Sequence, residues 1–440
     1  MPRIYVYDGS VKSISISATG EVTIDSFTDN LTSGIKVIIV NIHAYLGADN
    51  TSLMYFELYR DTTVLDNEES RTHRLTAGNL GYNSVWQLIA VDTNAPANAT
   101  YTVKAYVTYV KSATWSFEIK AMVILVDFAD IAYGGVTDIA SGSTTTVISK
   151  TVTLDVGKYV IVMRVHPEYV TGGADKLVGA NNLRLKIAGS TVASNEYPVR
   201  TYSTTQIESF AIVYLHNQTS SGSVTIAIEA YNDSEVSMNF YGRFIIFNVY
   251  DGFFLDTGSV ALSTTQTTIA NLSTTFPANS EIGVLPVIII DNQTTTAYDF
   301  SAGNIVLQEN NSTTNQVATE LPITYMWSAV YGRNKAVILP GRYVPTTNNP
   351  SYQIKATAPA TGLYGETKMV VFISIYKITL TETMSFSDVT LKRTTREFVE
   401  TIYLTDKVFR VAPAQRIPVS PTRTLKPVRI KKPDRVEKIT

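Results

Sequence analysis

The sequence predicts an all-β protein of three tandem β-sandwich domains followed by an extended C-terminal arm, and composition, an internal repeat and a two-residue alternation each point there. Among its 440 residues are 57 Thr, 35 Ser and 26 Tyr. Hydroxyl-bearing, β-branched and aromatic side chains suit a pleated surface with one wet face. Apolar residues make up 45% and charged residues 17%. That is too apolar for a disordered chain and too lightly charged for a typical enzyme.

The repeat is about 125 residues long, with landmarks in one order. Each unit opens on a glycine motif: Gly9-Ser10-Val11, Gly134-Gly135-Val136 and Gly258-Ser259-Val260. A middle strand follows as Leu58-Tyr59-Arg60-Asp61, Leu185-Lys186-Ile187-Ala188 and Leu307-Gln308-Glu309-Asn310. An aromatic-led strand comes next, at Trp86, Phe210 and Trp327. Val103-Lys104-Ala105, Ile228-Glu229-Ala230 and Ile354-Lys355-Ala356 precede a final apolar strand led by Lys120, Arg243 or Lys368. The predicted boundaries are 1–130, 131–254 and 255–379, then a short β repeat pair at 380–410 and the arm at 411–440.

Within unit one, alternation predicts strands at 13–17, 21–27, 36–45, 53–60, 86–91, 101–110 and 115–128. About eight strands per unit fits a jelly-roll-like sandwich. The final strand is apolar on both faces, so it belongs in the middle of a sheet. Three separate cores are expected. Gly362-Leu363-Tyr364-Gly365 reads as a hairpin loop, where glycine supplies positive φ.

Net charge is −2 overall, yet residues 392–440 carry 13 Lys/Arg against 5 Asp/Glu. A mildly acidic body and a basic arm imply different neighbours. Pro413, Pro418, Pro421, Pro427 and Pro433 forbid a helix in the arm and favour an extended path. Arg416, Ile417, Val419, Arg423, Leu425, Lys426, Val428, Arg429 and Ile430 are its candidate assembly residues, able to lie along a neighbour's sheet edge. No aromatic follows Phe409 to stack on bases, so nucleic acid is not the expected partner. The opposing reading is a solvated tail.

No Walker loop, nucleophile elbow or zinc-protease motif occurs, and there is no cysteine. His43, His166 and His216 fall in or beside strands and His73 in a loop, none with a partner at ligand spacing. Asp66-Asn67-Glu68-Glu69 offers oxygen ligands for a hard cation, but a charged hairpin tip is the plainer reading. Trp86, Phe210 and Trp327 read as equivalent core anchors in preference to a sugar platform. No catalytic residue, metal or cofactor is predicted. Nine N-x-S/T sequons, at Asn30, Asn50, Asn98, Asn217, Asn232, Asn271, Asn292, Asn310 and Asn311, are candidate glycosylation positions. The first residues lack a signal-peptide core, and no run is long enough for a membrane helix, so synthesis in the cytoplasm without a membrane span is expected.

Leu58-Tyr59-Arg60-Asp61-Thr62-Thr63-Val64, then Ile89-Ala90-Val91-Asp92, Pro96 and Ala99-Thr100-Tyr101-Thr102-Val103, resembles the tumour-necrosis-factor-like jelly rolls of viral and phage appendages. The resemblance is best in unit one; unit two loses the Arg-Asp turn. Tandem jelly rolls of this composition resemble turret, spike and fibre proteins of viruses of hyperthermophilic archaea. Glu382-Thr383-Met384-Ser385-Phe386-Ser387-Asp388 and its echo Glu400-Thr401-Ile402-Tyr403-Leu404-Thr405-Asp406 are similar to repeats in archaeal surface and virion proteins. The resemblance implies a non-enzymatic virion surface appendage. It would form homo-oligomers, contact other capsid or surface proteins through the arm, and attach to a host glycan or protein receptor. A cellular surface or filament protein, and a capsid shell protein with a genome-facing arm, remain open alternatives.

Overall fold

The computed structural model describes residues 3–46, 51–67, 73–76, 82–110, 113–169, 178–195, 200–201, 210–232, 234–292, 305–310, 318–319, 335–358 and 360–375. The described residues form strands and turns, all strand pairs being antiparallel. The repeat pair at 380–410, the arm and Trp327 lie outside them.

The first sandwich comprises β1 (Ile4–Asp8), β2 (Lys12–Ile16), β3 (Gly20–Thr28), β4 (Gly34–Leu46), β5 (Thr51–Arg60), β6 (Thr63–Asn67), β7 (His73–Thr76), β8 (Tyr82–Ala95), β9 (Thr100–Val110) and β10 (Ala113–Val126). The second comprises β11 (Ala129–Ile139), β12 (Thr144–Leu154), β13 (Gly157–Tyr169), β14 (Val178–Ile187), β15 (Ser190–Asn195), β16 (Arg200–Thr201), β17 (Phe210–Gln218), β18 (Gly222–Asn232) and β19 (Met238–Val249). The third comprises β20 (Asp251–Ala261), β21 (Thr267–Ser273), β22 (Glu281–Asn292), β23 (Ile305–Glu309), β24 (Ala318–Thr319), β25 (Lys335–Ile338), β26 (Gly341–Tyr343), β27 (Ser351–Ala356) and β28 (Leu363–Ile375).

One strand order recurs three times. The first sheets run β1-β10-β4-β8, β11-β19-β13-β17 and β20-β28-β22-β25. Their partners run β3-β9-β5-β6, β12-β18-β14-β15 and β21-β27-β23-β24. The opening strand of each sandwich therefore neighbours the last, and β3, β12 and β21 neighbour the next to last. That interleaving is jelly-roll connectivity. The final strands β10, β19 and β28 are central, as their two-faced apolar pattern predicts.

The repeat landmarks coincide with shared backbone features. The glycine motif marks the break between β1 and β2 and the bulges in β11 and β20. The middle-strand motif ends each time in a left-handed residue: Asp61 (φ 52°), Ala188 (φ 48°) and Asn310 (φ 50°). A tight turn needs that conformation whatever side chain occupies it, so unit two keeps the turn after losing the Arg-Asp pair. Of the predicted loop at 362–365, only Gly362 (φ 89°) is turn, and β28 starts at Leu363.

Alternation divides each strand of the first-listed sheets between two apolar regions. In β4, Ile38, Val40 and Ile42 face the sandwich's own core, whereas Val37 and Ile39 point out of it. In β28, Met369, Val371 and Ile373 face inward, while Val370 and Phe372 point out. These outward sets join those of sandwich 2 in one continuous apolar cluster. The three sheets thus pack back to back, and they are the inner sheets of the three sandwiches. The expectation of three separate cores is corrected: sandwiches 1 and 3 keep their own, but that of sandwich 2 is continuous with the shared junction.

The contacts close a ring. Strand β8 lies against β11 and β19, β17 against β20 and β28, and β26 against β1. The joint from sandwich 1 to 2 is thereby repeated from 2 to 3 and from 3 back to 1, a heterologous contact that closes. Gly283 in β22 is part of the joint: a Cβ there would stand 2.3 Å from the Phe372 ring, which meets Phe247 of sandwich 2 edge-on at 6.0 Å.

Trp86 and Phe210 occupy the predicted equivalent positions and are buried, Trp86 lying 5.7 Å from the Phe56 ring. The Trp86→Ala variant is expected to lose about 3–5 kcal/mol of stability. Urea unfolding followed by circular dichroism measures it.

Candidate functional site

Part of the described polar chemistry lies at the joints between sandwiches, whereas the fully buried Lys36–Asp29 pair, at 2.8 Å, lies within sandwich 1. At the joint of sandwiches 1 and 2, Asp66 of β6 is fully buried. Its carboxylate accepts the Ile89 amide at 2.7 Å and pairs with Arg243 at 2.7 Å and Arg164 at 3.6 Å. Arg164 also donates to the Gln87 carbonyl at 2.7 Å. Burial pushes the Asp66 carboxyl above its ordinary range, and both guanidiniums pull the other way. The quartet beginning at Asp66 is therefore not a charged hairpin tip at its first residue: Asp66 sits on a buried strand. Glu68 and Glu69 lie outside the described residues.

The ring's other joints carry their own polar contacts. Between sandwiches 2 and 3, Lys158 pairs with Asp251 and donates to the Gly252 carbonyl at 3.1 Å, while Tyr214 meets Phe254 edge-on at 5.0 Å. Between sandwiches 3 and 1, Glu281 accepts the Arg3 amide at 2.7 Å, the Ile4 amide at 3.3 Å and Arg342 Nε at 2.8 Å. One carboxylate thus holds the first strand onto the third sandwich.

The basic residue that leads each final strand is half of a cross-strand pair. Lys120 stands opposite Asp8 and Lys368 opposite Asp256, and each forms an ion pair with that partner. Arg243 stands opposite Tyr133, with its guanidinium 5.9 Å from the ring centre, and reaches across the joint to Asp66. Sequence reasoning found the basic position and missed its partners. A single arginine inside the apolar run Val160-Ile161-Val162-Met163-Arg164-Val165 was the available sign of a buried counter-charge.

The histidines are not brought together. His43 is buried opposite Glu118, and His166 is buried against Trp86 with ring centres 5.9 Å apart. His216 shares a 2.8 Å hydrogen bond with Gln218. His73, expected in a loop, opens β7. Among the described residues no group of three His, Cys, Asp or Glu could hold a metal ion. No helix among them is long and apolar enough to cross a membrane.

Asn30, Asn98, Asn217, Asn271 and Asn310 are exposed sequon asparagines. Asn232 is buried, its amide nitrogen donating to the Ile139 carbonyl at 2.7 Å and that of Val236 at 2.9 Å. That nitrogen is committed to the turn in the folded chain. Asn292 ends β22, and Asn50 and Asn311 lie outside the described residues. So do the arm candidates Arg416, Ile417, Val419, Arg423, Leu425, Lys426, Val428, Arg429 and Ile430.

Strand order and joints define a triple jelly roll. No family model matches the chain, and no curated protein matches it. Among solved structures it is similar to one described as the triple jelly roll fold and turret assembly in an archaeal virus, at 13% identity over 84% of this chain and 91% of that one, with a TM-score of 0.17. It is similar to a structure of Sulfolobus turreted icosahedral virus at 14% identity, over 85% and 92%, with a TM-score of 0.19. The major capsid protein P2 of bacteriophage PM2 matches at 8% identity over 56% of this chain and 98% of its own, with a TM-score of 0.24. Scores this low carry no argument, and the jelly-roll assignment rests on strand order.

Burial lowers the His166 imidazole to about 3, and the neighbouring Arg164 charge adds to the shift. An unfolded histidine titrates near 6.5, so the unfolded chain binds the extra proton first as pH falls. The neutral ring's contribution is complete above about pH 6.5 and is lost progressively as pH falls towards about 3. Stability is expected to drop by about 2 kcal/mol between pH 7.5 and pH 5 on this account. Urea unfolding at both pH values checks it, with a smaller drop expected in His166→Phe.

Proposed function

We propose that this chain is a structural, non-enzymatic component of a virion surface, a turret, spike or fibre subunit, made in the host cytoplasm. The observation that supports it most is the closed ring of three jelly rolls, whose joints are held by the Asp66, Lys158 and Glu281 contacts. Stacked sheets with polar outer faces make a rigid support, and recognition then falls to exposed faces and loops. Copies of the chain and other capsid or surface proteins are its partners, joined through the arm at Arg416–430. Repetition of weak contacts around an assembly would add avidity for a host receptor. Among the described residues, Asn30, Asn98, Asn217, Asn271 and Asn310 are exposed sequons open to glycosylation in this reading.

Deleting residues 411–440 tests the anchoring role. The deletion is expected to leave the far-ultraviolet circular dichroism and melting temperature unchanged while abolishing incorporation into particles. Normal incorporation would contradict it. Salt-dependent nucleic-acid binding by a 379–440 peptide would favour a genome-facing shell protein instead.

A further inference from the structure

The outward face of the β3-β9-β5-β6 sheet differs from its two counterparts. Register sets three adjacent rows across it: Glu21, Tyr106 and Tyr55; Thr23, Lys104 and Glu57; Thr102, Tyr59 and Val64. Tyr55 and Tyr106 stack at 4.9 Å with their planes 24° apart, and both are half-buried. The Tyr59 hydroxyl donates to Glu57 at 2.7 Å and to Glu21 at 3.2 Å. Lys104 donates to Glu21 at 2.8 Å and lies 4.0 Å above the Tyr59 ring. Val64 beside them is 43% exposed.

Sandwiches 2 and 3 are internal controls for what the fold itself requires. Aligned on the middle-strand motif, Tyr55 corresponds to Asn182, and Tyr59 to Lys186 and Gln308. Aligned on the following motif, Tyr106 corresponds to Tyr231, so sandwich 2 keeps one ring and lacks the stack. Its outer face carries the hydroxyl pair Thr151–Thr225 and the Lys186–Glu229 ion pair, and that of sandwich 3 the Asn271–Gln353 contact. The jelly roll therefore closes without an outer tyrosine stack, and its presence on one sheet calls for another use.

From this we infer that the outer face of sandwich 1 is a carbohydrate-binding surface for neutral hexose oligosaccharides, a conclusion that rests on the attachment role proposed above. Tyrosine rings offer apolar area to sugar C–H groups, and their hydroxyls offer a polar handle. Exposed Glu21 supplies a fixed acceptor for sugar hydroxyls and Lys104 supplies donors, while buried Glu57 and Tyr59 brace them from beneath. Two carboxylates against one ammonium leave the face negative, which disfavours sialic- or uronic-acid glycans. The acceptor is already oriented by its own hydrogen bonds, so little ordering is needed on binding.

The test uses the purified full chain on an array of mannan- and glucan-derived neutral oligosaccharides beside sialylated and uronate-containing ones. Wild type is expected to bind neutral members. Tyr55→Asn, which borrows the residue of sandwich 2, and Glu21→Gln at an exposed position are each expected to weaken that binding by about tenfold while the melting temperature holds. Absence of neutral-glycan binding, binding confined to acidic glycans, or full binding by both folded variants would overturn the site. The assay is independent of particle assembly, so its failure removes this face alone, whereas the arm deletion tests the appendage role.

Discussion

A sheet whose two faces are both apolar cannot face water on either side, and three such sheets in one chain must find cover. Jelly-roll closure covers one face of each. The other faces of β10, β4 and β1 carry Ile4, Val37, Ile39, Met122, Ile124 and Val126. Burying side chains of this size contributes about 1.5–3 kcal/mol each, so the face is worth roughly 9–18 kcal/mol, an upper estimate. That is comparable with the whole stability of an ordinary domain, about 5–15 kcal/mol. Sandwich 1 would forfeit it by standing alone. Packing the inner sheets back to back is thus a condition of the fold, and the outer sheets are left to carry the polar residues.

The joints follow from the same condition. Once the sandwiches meet, a polar group that reaches a joint must be matched or costs free energy. Asp66 between two arginines, and Glu281 between two amides and Arg342, are such matches. Buried ion pairs add little net stability over apolar replacements, but mispairing them is costly. Their contribution is therefore to register, fixing which sandwich edge meets which, while apolar area supplies the driving force.

Much of this was legible in the sequence. Strands predicted at 21–27 and 101–110 correspond to β3 and β9, because period-two alternation survives in strands with unlike faces. β1 and β6 were not foreseen: Ile4-Tyr5-Val6-Tyr7 is short, and Asp66 interrupts the apolar count in β6. The shared junction was half visible. Two-faced apolarity in the final strand signalled a central position, yet that pattern does not say whether the second face is covered by the same domain or by another. Joining Asp66 to Arg164 and Arg243 needed tertiary geometry, since the partners are 98 and 177 residues apart. The outer tyrosines were legible only as strand residues, because which rings share a face depends on the register of β3, β9 and β5.

A rigid ring with polar outer sheets suits a part that must hold its surface in place, and every element of the account requires the three inner sheets to be mutually buried. Native-state hydrogen exchange read by mass spectrometry tests this directly on the central strands β10, β19 and β28. Mutual burial predicts that their amides open with one common free energy, in a single cooperative unit. Three distinct opening free energies, one for each sandwich, would contradict it.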